Sequence, residues 1–144
     1  MGTSMADRPF EIIGTTADVG ILARGATCEE TFIHAAEGLF SLVTDLEAIE
    51  LAQSFSVVCE GISLEGLLVS WLNELIYLHD VHDVLFRRFE ITSFDPSRIE
   101  ATAWGEPIDE DRHTLGTELK AATYHLARVV EGPSGWEAYV IVDV

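Results

Sequence analysis

Two carboxylates near opposite ends of the sequence form a candidate cation site. Asp18 lies in a turn bounded by glycines, residues 14–20, between two apolar runs. A carboxylate in such surroundings needs a partner or a cation. Asp143 follows the apolar run 139–142 and precedes Val144, whose main-chain carboxylate would supply further oxygen. Carboxylates with main-chain oxygens suit calcium, magnesium or manganese better than zinc. The alternative is that Asp18 is an ordinary turn aspartate and Asp143 a solvated end.

A second candidate is a histidine pair, His79 and His82, with Asp80 and Asp83 between and after them. Residues three positions apart share one face of a helix and could bind a transition metal. No third ligand stands at a diagnostic spacing. Histidine also interacts favourably with the dipole at a helix C-terminus, and we therefore favour a structural role for this pair.

A third candidate is Arg112-His113, with Lys120 and His125 downstream. A histidine paired with an acid can act in general acid–base catalysis. The sequence has no GxGxxG motif, no P-loop and no HExxH motif, and it shows no nucleophile motif. Enzymatic activity is therefore the weaker interpretation.

Charge is the strongest feature of the composition. Aspartate and glutamate number 25 and lysine and arginine 8, so the net charge is −17. Such a field repels phosphate backbones, which argues against broad direct binding of nucleic acid. A basic protein partner, a cation or a salt-rich cytoplasm would each fit this charge. Lys120 is the single lysine among the cationic residues.

Hydrophobic periodicity predicts an α+β fold in a single domain. Two short strands precede a helix that begins with a Thr27/Glu30 capping box, and a third strand precedes a helix capped by Ser63. Four further strands follow. We expect a twisted, partly antiparallel β-sheet or split barrel covered by the two amphipathic helices. The strands are predicted at residues 10–13, 19–24, 55–60, 85–94, 98–104, 120–131 and 136–142.

The length and the chain termini suggest a cytoplasmic protein. The 144 residues suit a tail at 1–9, which cloning could have left, and one domain at 10–144. No apolar run reaches the length of a membrane span, and the N-terminus lacks the layout of a signal peptide. We therefore expect no membrane partner. Cys28 and Cys59 match no metal or redox spacing and are expected to be reduced thiols.

Several stretches taken together, in this order, resemble the archease family of small proteins from tRNA-splicing pathways. The resemblance covers residues 10–144, nearly the whole chain. One departure is Thr15, which stands where the family usually has histidine. The matching stretches are Thr16-Ala-Asp-Val-Gly20, the helix 29–45 with Ala35-Ala-Glu-Gly-Leu-Phe40, Trp71-Leu-Asn-Glu-Leu75 with Tyr77, Gly105-Glu106, Arg112-His113, 118–125 and Val140-Ile-Val-Asp-Val144.

The resemblance implies a non-enzymatic activator. Its partner would be the GTP-dependent RNA ligase that joins tRNA exon halves, which it would help to become guanylylated and to turn over repeatedly. The family's metal ligands would fall on Asp18, Asp143 and the main chain of Val144, with calcium the expected ion and magnesium or manganese the alternatives. An activating lysine would fall on Lys120, and Arg112-His113 would be accessory.

Two observations on the residues agree with this role. An acidic protein is suited to a basic RNA-binding partner, because complementary charge speeds encounter. A lone lysine in a chain that otherwise uses arginine points to a specific need for a compact ammonium group at position 120. Two alternatives remain open. One is a metal-dependent hydrolase that uses Asp18 and Asp143, and the other is a general acidic adaptor or chaperone for RNA-modifying enzymes.

Overall fold

The computed structural model describes residues 8–14 and 17–144, so most of the predicted tail 1–9 and also Thr15 lie outside the described residues. Within those ranges the chain forms seven β-strands and two α-helices in the predicted order. A short 3-10 helix, Leu46–Ala48, follows the first helix. The elements are β1 Phe10–Gly14, β2 Asp18–Gly25, α1 Cys28–Ser41, β3 Gln53–Glu60, α2 Leu64–His82, β4 Val84–Asp95, β5 Arg98–Pro107, β6 Ala121–Gly132 and β7 Gly135–Asp143.

The strands form two antiparallel sheets. The first has the order β1-β2-β7-β6 and the second the order β3-β5-β4, and no closed barrel forms in the described part of the chain. The predicted α+β fold with two covering helices is therefore confirmed, with the strands divided between two sheets. Every connected pair of strands is antiparallel, which suits strands that have one face on a core and one face in solvent.

Both helices begin as the sequence predicts and pack into one core. Thr27 accepts a hydrogen bond from the Glu30 amide at 3.1 Å, and Ser63 accepts one from the Gly66 amide at 3.0 Å. These caps satisfy amide groups that have no partner within the helix. The fully buried Trp71 of α2 donates its indole N–H to the backbone oxygen of Phe32 in α1 at 2.9 Å. Neither helix of the described ranges has the length and apolar character needed to cross a lipid bilayer.

Close approach of β4 to β5 depends on Gly105. The β4–β5 ladder shifts register between Phe86 and Arg88, which is a β-bulge beside Gly105. A methyl group built on Gly105 would overlap the backbone oxygen of Leu85. The overlap involves main-chain atoms, which a rotamer change cannot relieve. Any side chain at Gly105 therefore forces the two strands apart.

We predict that Gly105→Ala lowers the free energy of unfolding by about 3 kcal/mol, because it overpacks a strand interface. Urea unfolding followed by circular dichroism measures the change. Gly14→Ala is the matched control, since a methyl group at Gly14 meets nothing within 4 Å. Equal stability of the two variants would contradict this account of the β4–β5 contact.

Candidate functional site

The pairing of β2 with β7 brings Asp18 and Asp143 together. β2 begins at Asp18, β7 ends at Asp143, and the two residues are direct partners in the antiparallel ladder. Directly opposite residues point to the same face of a sheet, with Cβ atoms about 4.5–5.5 Å apart. Like charges in such a pair destabilise the sheet. A cation between the two carboxylates would remove that repulsion.

Lys120 and Val144 lie at the same end of this sheet. The Lys120 amide donates a hydrogen bond to the Asp143 carbonyl at 3.0 Å, and the Val144 amide donates one to the Ala17 carbonyl at 3.3 Å. The four predicted site residues thus converge, although Asp18 and Lys120 are far apart in sequence. Lys120 is exposed and forms no ion pair with any residue that the structure describes.

The donor chemistry of this end fits a hard divalent cation. Asp18 is exposed and Asp143 half-buried, so both carboxylates can reach an ion at the rim of the sheet. No group of three or more histidine, cysteine, aspartate or glutamate side chains in the described ranges is arranged to hold a metal. Calcium and magnesium commonly complete their coordination with main-chain oxygens and water. The chain would therefore supply two carboxylates and main-chain oxygen, and leave coordination positions open.

The other predicted residues, Arg112 and His113, lie in a separate cluster around Glu106, in which His113 is buried and Arg112 lies at the surface. They bind Glu106, which is the penultimate residue of β5 and only 5% exposed. Arg112 pairs with one carboxylate oxygen of Glu106, and His113 Nε2 lies 3.0 Å from the other. The Glu50 amide donates a further hydrogen bond to Glu106 at 2.6 Å. Within the described part of the chain, no hydrogen bond or ion pair joins this cluster to Asp18 or Asp143.

The hydrogen bonds of the cluster fix its charge state. His113 Nδ1 accepts a hydrogen bond from the Asp109 amide at 2.9 Å, so in this arrangement Nε2 carries the ring proton and donates it to Glu106. Burial alone would raise the pKa of Glu106. The Glu50 amide, the His113 ring and the Arg112 charge together outweigh burial and hold that pKa below its ordinary value. Glu106 is therefore a buried carboxylate stabilised by three partners.

The segment between β5 and β6 connects the Glu106 cluster to the end of the first sheet that carries Asp18 and Asp143, which we call the cation end. After His113 it passes the C-terminus of α1, where Thr44 Oγ1 donates to the Thr114 carbonyl at 2.9 Å and the Gly116 amide donates to the Val43 carbonyl at 2.7 Å. The second bond satisfies a backbone carbonyl just beyond the end of α1. The segment ends at Lys120. Arg112 and His113 thus anchor the start of the segment that delivers Lys120 to the sheet.

Sequence reasoning missed Glu106 as the centre of this cluster. The alternation of β5 buries Ile99, Ala101 and Ala103, and the same alternation assigns position 106 to the outer face. The available signal was an isolated acid next to Gly105, six and seven residues before Arg112 and His113. Among the residues that the structure describes, His79 and His82 form no ion pair with a carboxylate. His79 Nδ1 lies 2.8 Å from the Val84 carbonyl, which is a structural contact.

Comparison with known proteins identifies the same family along the whole described chain. The model of the Archease protein family matches residues 10–144. A protein archease from Methanopyrus kandleri is 37% identical over 139 residues, which cover 94% of this chain and 99% of the relative. A protein archease-like from Drosophila melanogaster is 32% identical and covers 97% of this chain and 93% of its own length.

Solved structures agree with this match. The solution structure of protein 1598 from Methanobacterium thermoautotrophicum superposes with a TM-score of 0.81 at 34% identity, covering 94% of this chain and 99% of that chain. A Thermotoga maritima crystal structure, described as an archease and possible chaperone, has a TM-score of 0.59 at 21% identity, with 92% and 94% coverage. At that identity the second structure supports the fold alone.

We predict that Glu106→Gln lowers the free energy of unfolding at pH 7 by about 1–3 kcal/mol, because it removes charge-assisted hydrogen bonds from a buried site. Chemical unfolding at a series of pH values measures the effect. Glu110→Gln is the control, because Glu110 is exposed on the same segment.

The pH dependence tests the lowered pKa of Glu106. A carboxylate with a lowered folded-state pKa contributes its full stability above the ordinary value of 4.5 and loses it as pH falls through the folded-state pKa. The wild type and Glu106→Gln should therefore converge in stability below pH 4.5. Parallel curves down to the acid limit would show that the charge of Glu106 does not stabilise the fold.

Proposed function

This chain belongs to the archease family, and from that premise we propose that it activates a GTP-dependent RNA ligase of tRNA splicing without catalysing a reaction itself. The observation that carries the proposal is the cross-strand pair Asp18–Asp143, with the Lys120 amide bonded to the same strand end. A catalytic site would be expected to lie in a cleft. This constellation lies instead on an exposed sheet end, where another protein can reach it.

The proposed cation binds between the carboxylates of Asp18 and Asp143, with main-chain oxygen of Val144 as a further donor. Calcium fits this oxygen set best, and magnesium or manganese would fit with more water in their coordination. When bound, the ion supplies positive charge and open coordination positions at the rim of an acidic protein. Asp18, Asp143 and Val144 would hold the ion at the exposed end of the sheet, where it can contact the active site of the ligase.

Lys120 has a separate proposed role beside the cation. Its amide is fixed by the Asp143 carbonyl, whereas its side chain is exposed and has no ion pair among the described residues. The compact ammonium of lysine, on its flexible stem, can reach an acidic or phosphate group of the partner. The planar guanidinium of arginine has a different shape and would not make the same contact. We assign Lys120 to the contact that drives guanylylation of the ligase.

The net charge of −17 supports a protein partner rather than RNA. An RNA ligase must present basic surface to its substrate, and complementary charge accelerates association of two proteins. The same acidic surface repels RNA and so does not compete for it. The activator can therefore approach the ligase, stimulate it and leave the RNA with the enzyme.

The substitution Asp18→Ala tests the proposed cation site. Because Asp18 is exposed, its removal should leave the fold intact and abolish stimulation of multiple-turnover ligation by the cognate ligase. Asp80→Ala, at an exposed aspartate of α2, is the matched control and should stimulate like the wild type. Stimulation by Asp18→Ala equal to the wild type would refute the assignment of the site.

Calcium provides a readout that does not depend on the ligase. A ligand that binds only the folded state raises Tm as its concentration rises above Kd. We expect added calcium to raise the Tm of the wild type and of Asp80→Ala, and to leave the Tm of Asp18→Ala unchanged. If the wild type stimulated the ligase but its Tm did not change with calcium, the activator role would stand and the proposed cation site would be wrong.

The substitution Lys120→Arg tests the proposed role of Lys120, because it keeps the positive charge and changes the shape of the charged group. Stimulation should fall at least about tenfold, as for loss of one charge-assisted contact in a reaction step. Arg128→Lys, at an exposed arginine of β6, is the reciprocal control and should remain active. Full activity of Lys120→Arg would mean that charge alone is required at this position.

Turnover by the isolated protein separates activation from hydrolysis. If a panel of phosphoesters were hydrolysed by this protein alone, and a chelator abolished that hydrolysis, the activator assignment would give way to a metal-dependent hydrolase. We expect no such turnover.

A further inference from the structure

Strand β6 leaves the sheet midway along its length and forms a bulge against α2. Residues 124–127 stand opposite the single residue Val140, where the sequence predicts an unbroken strand. On the N-terminal side of the bulge, the Asn73 side chain binds both the amide and the carbonyl of Ala122. On the C-terminal side, Glu65 accepts a hydrogen bond from a β6 amide at 3.4 Å. Side chains of α2 thus form hydrogen bonds with backbone groups on the outer edge of β6, on both sides of the bulge.

The bulge is strained and presents apolar side chains to solvent. Leu126 has φ = +60°, a left-handed conformation that is unfavourable for a bulky residue. Its side chain is 64% exposed, and that of Tyr124 is 66% exposed. Strain that the surrounding structure maintains is often found at binding sites. Burial does not explain why this segment keeps a strained, exposed leucine.

A groove of about 420 Å³ lies beside the bulge, between α2 and the second sheet. Three consecutive residues of β3 line it, Val58, Cys59 and Glu60. Because successive side chains of a strand point to opposite faces, the groove follows the edge of β3 rather than one of its faces. β3 is an edge strand. Within the described ranges, residues 53–60 form no backbone hydrogen bond outside the β3–β5 ladder.

The lining of the groove defines the chemistry of its occupant. Tyr77 is 57% exposed and Val58 46% exposed, and with Tyr124 they form an apolar surface. Glu74 adds negative charge, as does Glu60, which also forms an ion pair with Arg98 at 3.5 Å just outside the groove. Among the described residues that line the groove there is no lysine or arginine. A second copy of this chain also carries a charge of −17 and would be repelled. The groove is complementary to a basic segment with an aromatic or aliphatic side chain.

We propose that this groove docks an extended, basic segment of the RNA ligase, which adds alongside β3 and inserts an apolar side chain between Tyr77 and Tyr124. Addition of a strand to an open sheet edge is a common mode of peptide recognition. The inference rests on the proposed function. It extends that function because Tyr124 follows Lys120 by four residues, about 13 Å along a strand, so one partner can cover both places.

The test separates binding from stimulation. The variants are Tyr77→Ala with Tyr124→Ala, and Glu60→Lys with Glu74→Lys. Calorimetry with the cognate ligase should give a Kd at least about tenfold weaker for each pair than for the wild type. Stimulation of ligation at saturating protein should remain, because neither pair alters the cation end. The charge-reversed pair should also show a weaker dependence of Kd on salt.

The controls match the variants in chemistry and exposure. Leu51→Ala with Val130→Ala removes apolar side chains that are 43% and 42% exposed, and Glu47→Lys with Glu110→Lys makes the same change in net charge on exposed sites outside the groove. Both control pairs should bind the ligase like the wild type. Equal weakening of the two charge-reversed pairs would mean that overall charge, not the groove, determines affinity.

The outcomes distinguish the two proposals. If the wild type binds and stimulates the ligase and the groove variants bind it equally well, the groove inference is wrong and the activator role stands. If the wild type neither binds nor stimulates the ligase, both proposals fall. Photocrosslinking from a benzophenone side chain at position 77 identifies the occupant. A crosslink in a basic ligase segment supports the inference, and a crosslink only to a second copy of this chain overturns it.

Discussion

The antiparallel register of β2 and β7 is the constraint on which the candidate site depends. Asp18 meets Asp143 because Ile21 pairs with Val140, and both of these residues are buried against the helices. A slip of one residue would move every side chain of β2 to the opposite face. Such a slip would expose the apolar set and separate the two carboxylates. Hydrophobic burial several residues away therefore holds two like charges together, which the carboxylates would not achieve by themselves.

A second constraint acts through a buried ion cluster on the other sheet. Glu106, Arg112 and His113 are remote from the cation end in the hydrogen-bond network, yet they anchor the segment that finishes at Lys120. A buried carboxylate is costly unless all its partners are in place. The cluster therefore favours one path for this segment, and that path places Lys120 beside Asp143. Its role is consistent with positioning rather than with direct contact to a cation or a partner.

The sequence predicted most of the fold because the local signals agreed with one another. Both helices had a capping residue and an apolar stripe, and glycines marked the ends of several strands. The pairing of Asp18 with Asp143 was expected mainly from the family resemblance, because the residues alone also allowed an ordinary turn aspartate and a solvated chain end. The buried position of Glu106 did not follow, because its partners are brought in by tertiary structure and the alternation of β5 points outward at that residue. The bulge at 124–127 was also missed, since contacts with Asn73 and Glu65 in α2 determine it.

The distribution of charge and apolar surface suggests a division of labour between two separate parts of the surface. The cation end presents the exposed charged groups of Asp18 and Lys120, so it is suited to a contact that must form and release in every turnover. The groove beside Tyr77 and Tyr124 combines apolar area with a free strand edge, which are the usual sources of lasting affinity. An activator that must stimulate many turnovers benefits from keeping these functions apart. In the activator role proposed above, strong docking at the groove would not by itself hold the cation end in the ligase active site, because different residues form the two sites.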